Sequence, residues 1–151
     1  MIVLKTTKEL SLMKEAGAVA AGALKAAGAA VEPGVTTEEI NRIAHNFIVK
    51  SGAIPTFKGY NGYPAATCIS INDEVIHGIP SKKRIIRAGD IVSIDVGATL
   101  NGYVGDNAAT FAAGDISPEA QRLCDTTRES LYEGIKAAVA GGRIGDIGST
   151  I

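Results

Sequence analysis

The feature that most constrains this chain is the pair Asn101-Gly102, set between two extended runs, Ile91 to Ala98 and Tyr103 to Phe111. Asn-Gly is the preferred pair for a two-residue type I′ hairpin, because both turn positions require positive φ. Such a turn pairs Leu100 with Tyr103 and makes the numbers of facing residues sum to 203. Asp95 then faces Ala108, and Asp106 faces Gly97. The first run alternates, with Val92, Ile94 and Val96 on one face and Ser93, Asp95 and Gly97 on the other. The two aspartates therefore share a face as diagonal neighbours, about 7–8 Å apart or somewhat less at Cβ. A three-residue loop would reverse the parity and separate them.

The other elements follow from caps and breakers. Thr6-x-x-Glu9 and Thr36-x-x-Glu39 are capping boxes, each satisfying free N–H groups at a helix start. The first helix is expected to bury the seam Leu10, Met13, Gly17, Ala20, Leu24, Ala27 and Val31, half of it small enough to admit a closely packed neighbour. Glu32-Pro33-Gly34 breaks it. The second helix presents Ile40, Ile43, Ala44, Phe47 and Ile48 and stops at Gly52. Gly52 to Pro64, rich in Gly, Pro and aromatics, reads as loop, and Ala66 to Ile71 as a further strand. Ser117-Pro118 caps a third helix with Leu123, Leu131, Ile135, Ala138 and Val139 on its face, ended by Gly141-Gly142. Helices outside an antiparallel sheet make the fold class α+β. Arg143 to Ile151 resembles another cap and first turn, ending on an apolar residue without a C-cap, so the chain is expected to be cut in mid-element.

Composition limits function. With 16 acidic and 15 basic side chains in 151 residues, the chain reads as one globular domain without the basic excess that phosphate binding needs, so no specific nucleic acid is expected as a partner. At 46% hydrophobic and 21% charged, disorder is excluded as the main state. The opening Met1-Ile2-Val3-Leu4 is too short an apolar stretch for an export signal. Ala16 to Val31 is Ala and Gly with Lys25 inside it, which fails as a membrane span. Cys68 and Cys124 form neither a disulfide framework nor a zinc motif. These features together predict a cytoplasmic protein with reduced thiols, not a membrane protein.

Several residues carry chemistry. Asp95 and Asp106 need counter-charge if they are buried, and neither strand contains Lys or Arg. A divalent metal would supply it, with two ions roughly 3.5–4 Å apart if one carboxylate bridges them. Ordinary solvated aspartates on an open sheet face account for the spacing equally well. His77 lies in Val75-Ile76-His77-Gly78-Ile79-Pro80, an irregular turn that exposes an imidazole, although a loop histidine is more often structural than catalytic. His45, beside the apolar face of the second helix, reads as structural. Phe57, Tyr60, Tyr63 and Cys68 either line an apolar pocket or plug the end of a core. No Gly-x-Ser-x-Gly supports a serine nucleophile. Lys82-Lys83-Arg84 with Arg87 reads as a solvated loop that could touch RNA or a ribosome.

Taken together, Gly59-Tyr60-Asn61-Gly62-Tyr63-Pro64, Cys68-Ile69-Ser70-Ile71-Asn72, His77-Gly78-Ile79-Pro80, Gly89-Asp90-Ile91-Val92-Ser93-Ile94-Asp95-Val96 and Gly102-Tyr103-Val104-Gly105-Asp106 resemble the type I methionine aminopeptidases, in the short bacterial form. The resemblance runs from the first helix to Ile151. It implies the pita-bread α+β fold and removal of the initiator methionine from nascent chains whose second residue is small. It also implies two divalent ions, variously cobalt, manganese, iron or zinc, that activate a water for attack on the scissile carbonyl. By position, Asp95 resembles the chelating aspartate of one ion and Asp106 the aspartate bridging both. His77 resembles the histidine that hydrogen-bonds substrate around the scissile amide. Phe57, Tyr60, Tyr63 and Cys68 fall where the family lines its methionine pocket.

The family takes one more histidine ligand, two glutamate ligands and a second substrate-contacting histidine from a later half related by pseudo-twofold symmetry, and none of these lies within residues 1–151. The expectation is therefore that 1–151 is the N-terminal portion of one catalytic domain, with a partial or empty metal site and weak or absent activity on its own. Expected partners are N-terminal Met peptides, a complementary C-terminal half or a second copy, and a ribosome. The competing readings are a non-catalytic pita-bread module that binds a chain end or partner, and a proline-specific peptidase relative. Retention of Asp95, Asp106 and His77 argues against the first, and the Tyr60 to Cys68 sequence against the second.

Overall fold

The computed structural model describes residues 3–151. Met1 and Ile2, part of the opening segment considered above for an export signal, lie outside the described residues. The chain divides into one unit ending at Asp115 and a second, Ile116–Ile151.

Both capping boxes form and set the register of the two helices behind them. In α1 (Thr7–Gly28) the Thr6 hydroxyl accepts from the Glu9 N–H while Glu9 Oε2 accepts from the Thr6 N–H at 2.7 Å. The same reciprocal pair, Thr36 with Glu39, starts α2 (Thr37–Lys50). The buried line of α1 differs from the expected seam. Ala16, Ala20, Ala23, Leu24 and Ala27 are buried, whereas Leu10 and Met13 are exposed. Small residues win these positions because the helix lies directly on a sheet, its Ala16 and Gly17 backbone meeting Gly105 of the later hairpin strand closely enough that a Cβ on Gly105 would lie 2.3 Å from the Ala16 carbonyl oxygen. α2 buries Ile40, Ala44 and Ile48 as its spacing demands, with Ile43 half-buried and Phe47 at the margin.

Beyond Gly52, whose φ of +73° ends α2, the segment to Pro64 is not wholly loop. It contains a two-residue strand β1 (Ile54–Pro55) and a single 3-10 turn at Tyr60–Gly62. Then come β2 (Thr67–Ile71), β3 (Ile91–Leu100) and β4 (Tyr103–Ala112), all antiparallel to their neighbours. β1 and β2 lie end to end along one edge of β3, and β4 covers the other edge throughout. Asn101 and Gly102 have φ of +52° and +81°, and Leu100 pairs with Tyr103, so the hairpin has the two-residue turn and the expected register. One sheet face is apolar. Val92, Ile94, Val96 and Ala98 of β3 join Ile69, Ile40, Ile48 and the alanines of α1 in a single core.

The second unit holds α3 (Pro118–Ala137), capped by the Ser117 hydroxyl, and α4 (Ile144–Thr150). α3 ends at Ala137, four residues before the glycines expected to stop it. Ala138 and Val139 therefore lie outside the helix. Its expected apolar face is not a buried one: Leu123, Leu131, Ile135 and Val139 are exposed. Periodicity marks which face is apolar, but burial requires a covering surface, and within the second unit none covers this one. The residue of α3 that is buried is Gly134, where Ile151 packs within the space a Cβ would need and Ile147 lies in ordinary contact beside it.

Candidate metal and substrate site

The polar face of the sheet is built by register. Asp95 pairs across β3 with Cys68 of β2 and with Ala108 of β4, and Gly97 pairs with Asp106. Side chains on one face of adjacent strands must then meet, and both aspartates open into one cavity of about 680 Å³. Gly97 makes room on that face: a Cβ there would lie 2.6 Å from the Phe57 ring. Phe57, Tyr60, Tyr63 and Cys68 line the same cavity, as does His77 at its rim, so of the two readings of the aromatic cluster the structure selects a pocket wall over a core plug. Every site residue expected from the sequence is thus in one place. The cavity lies wholly within the first unit.

The electrostatics are those of an uncompensated carboxylate pair. Burial first, and then repulsion from the Asp106 carboxylate, push Asp95 up to about 6, with His77 pulling the other way. Burial also pushes the Cys68 thiol and the Tyr63 phenol up, keeping both neutral. The Tyr63 hydroxyl donates toward the carbonyls of Thr67 at 3.0 Å and Gly78 at 3.2 Å, which locks its ring as a wall. No group of three or more His, Cys, Asp or Glu among the described residues could hold a metal ion. Two oxygen donors on one face, with no lysine or arginine lining their cavity, nevertheless fit part of the coordination shell of a divalent cation.

Some features were not legible in the sequence. Thr56, Asn61, Gly62, Pro64 and Ile79 also line the cavity. Asn61 stands at φ +48° between Gly59 at +89° and Gly62 at +82°, a tight turn that aims Tyr60 and Tyr63. Glycine spacing hinted at the turn without indicating its direction. Arg84 corrects the solvated reading of the charge run. Its side chain is only 24% exposed, it pairs with Glu74, and its guanidinium donates to the carbonyls of Ile69 and Ile79. Lys82, Lys83 and Arg87 are exposed. His45 is half-buried and does not line the cavity; it lies on a second depression of about 210 Å³, shared with Glu38, Arg42 and Lys58, that adjoins the cavity at Pro64 and Ile79.

The model of metallopeptidase family M24 matches residues 11–151. The chain belongs to that family. Over 151 residues it is 51% identical to a methionine aminopeptidase of Clostridium acetobutylicum and 46% identical to methionine aminopeptidase 1 of Bacillus subtilis. In both cases the match takes in 100% of this chain and 60% of the relative, so the chain spans about three-fifths of the length of these proteins. Among solved structures, methionine aminopeptidase from Thermotoga maritima superposes with a TM-score of 0.97 at 40% identity, over 100% of this chain and 61% of that one. Prolidase from Pyrococcus furiosus superposes at 0.85 with 23% identity, covering 98% of this chain and 42% of that one, which is a likeness of fold. The α+β pita-bread architecture expected of an M24 chain is therefore the one observed. Among the described residues no helix is long and apolar enough to cross a membrane.

Proposed function

We propose that this chain forms the part of a methionine aminopeptidase that supplies two metal-holding carboxylates and the wall of the methionine pocket. The observation that carries the reading is the convergence of Asp95, Asp106 and His77 with Phe57, Tyr60, Tyr63 and Cys68 on one cavity. Asp95 and Asp106 would hold divalent ions of the cobalt, manganese, iron or zinc class, and residues outside 1–151 would complete the shell. A divalent ion there would polarise a carbonyl oxygen and lower the pKa of a water. His77 hydrogen-bonds the substrate around its scissile amide. The aromatic edges and the neutral thiol accept a flexible thioether, which makes favourable sulfur contacts with ring edges. The substrate class is peptides with N-terminal methionine and a small second residue, cleaved in the cytoplasm as new chains emerge. The two free thiols support that compartment.

As to partners, the exposed Leu123, Leu131 and Ile135 of α3 suit cover by the remaining part of the family fold, with a second copy of the chain as the competing occupant. Lys82, Lys83 and Arg87 are free to meet a ribosome.

The test is methionine release from a Met-Ala-Ser peptide with Mn²⁺ or Co²⁺. It compares the 151-residue chain with a complete product in which residues 1–151 are followed by the segment that the Clostridium acetobutylicum relative carries beyond its match. The 151-residue chain should be weak or inactive and the complete product active, with His77→Ala and Asp106→Asn each lowering turnover. Release of proline-adjacent residues in preference to methionine, or a complete product inert with every metal, would overturn the reading.

A further inference from the structure

His77 sits on a segment that does not hold itself in place. From Ile71 the chain leaves β2, turns at Asn72 with φ +55°, and returns alongside the same strand at His77 to Ile79. The return is not a regular strand. His77 adopts φ +58°, a conformation costly for a residue with a Cβ, and among the described residues the 77–79 stretch makes one backbone hydrogen bond back to β2, from the Ile69 N–H to the Gly78 carbonyl at 2.8 Å. The Gly78 N–H goes instead to Ser70 Oγ at 3.2 Å. A regular antiparallel partner would also have offered an N–H to the Ile69 carbonyl.

That vacancy is filled by a side chain. Arg84 Nη1 donates to the Ile69 carbonyl at 3.1 Å and to the Ile79 carbonyl at 3.0 Å, spanning β2 and the returning segment. Its Nη2 is held by Glu74 Oε2, which also accepts from the Ile71 N–H at 2.8 Å, so the pair ties both ends of the excursion. Gly78 shows how close the two backbones are: a Cβ there would lie 2.1 Å from the Ile69 carbonyl oxygen.

We propose that Arg84, oriented by Glu74, is a positioning residue that staples the His77 segment to the edge of β2 and so sets where the imidazole stands over the cavity. The proposal rests on the assignment of His77 to substrate binding made above. A planar fork is what the role requires, since one group must meet two carbonyls and a carboxylate at once. Arg84 itself does not line the cavity, so it acts through His77 and does not contact substrate.

The experiment pairs hydrogen exchange with kinetics. In the 151-residue chain, Arg84→Ala should speed exchange at the Ile69 and Gly78 amides at least tenfold and leave the Ile94 and Val96 amides of β3 unchanged. In the active complete product, kcat for Met-Ala-Ser should fall about ten- to a hundredfold, the scale set by a misplacement of about 1 Å, with KM nearly constant. Arg84→Lys, which keeps charge without the fork, should fall between wild type and alanine in both measurements. If Arg84→Ala does not fold, Arg84→Lys and Glu74→Gln carry the same comparison. Unchanged exchange at Ile69 and Gly78, or faster exchange with unchanged kcat, overturns the positioning role. A kinetically silent His77→Ala instead removes His77 from the reaction, while the exchange result still reports on the staple.

Discussion

Two glycines close to one another in the fold predict opposite responses to the same substitution. Gly105 lies on β4 beside Asp106, and a Cβ built there would meet Ala16 O at 2.3 Å, Ala16 C at 2.5 Å and Gly17 N at 2.5 Å. All three atoms are helix backbone, so no rotamer change relieves the clash, and α1 must lift off the sheet. Overpacking of this kind costs about 1–3 kcal/mol, and a rigid backbone partner places Gly105→Ala near the upper end. Gly17, within α1, has nothing within 4 Å of its Cβ position. There Gly→Ala removes unfolded-state freedom from a helix interior and stabilises by about 0.5–1 kcal/mol. The two variants should therefore differ by roughly 1.5–4 kcal/mol. With a urea slope of about 2 kcal/mol/M, Gly105→Ala lowers the midpoint by about 0.5–1.5 M and Gly17→Ala raises it by about 0.25–0.5 M. Urea unfolding followed by circular dichroism reads both. Equal midpoints, or a stabilised Gly105→Ala, would refute the claim that α1 and β4 touch backbone to backbone at that point.

Three further outcomes are expected. Calorimetric titration with Mn²⁺ should show weak binding to the 151-residue chain, because two carboxylates leave most of the ion's shell as water, and Asp106→Asn should weaken it at least tenfold; tight binding that survives the substitution would sink the carboxylate assignment. Gly102→Ala should cost about 1 kcal/mol through its φ of +81°, since only glycine takes that turn position without strain, and an unchanged thermal midpoint would contradict the hairpin geometry. The N–H groups of Thr6 and Thr36, followed by their hydroxyls, hold the Glu9 and Glu39 carboxyls below the usual glutamate range. A lowered folded value means that this stabilisation is present above the pH where a free glutamate ionises and is lost as pH falls through the folded values. Helix content should therefore decline on acidification. The decline should be shallower in Glu39→Gln; an identical acid titration would remove the capping carboxylate from the cause.

Where local chemistry dictates geometry, the sequence alone was sufficient. Thr6 with Glu9 and Thr36 with Glu39 specify helix starts because the satisfying partner is three residues away. Asn101-Gly102 specifies a two-residue turn because both positions need positive φ. From that turn the whole register follows, and with it the placement of Asp95 and Asp106 on one face, since a period of two carries a parity along the strand without loss. The motifs around Tyr60, His77 and Asp95 likewise carry the resemblance to the type I methionine aminopeptidases without any geometry. Burial was different. Leu10 and Met13 continue the apolar spacing of α1, yet they are exposed, because spacing marks a face and only a neighbouring element can cover it. Leu123, Leu131 and Ile135 of α3 are exposed for want of a covering surface within the second unit. Arg84 is the clearest case. Within Lys82-Lys83-Arg84 it is indistinguishable from its solvated neighbours, because what sets it apart is a carbonyl left unpaired fifteen residues earlier by the kink at His77. Long-range polar satisfaction of this kind depends on where two backbones approach in space, and only the tertiary structure decides that.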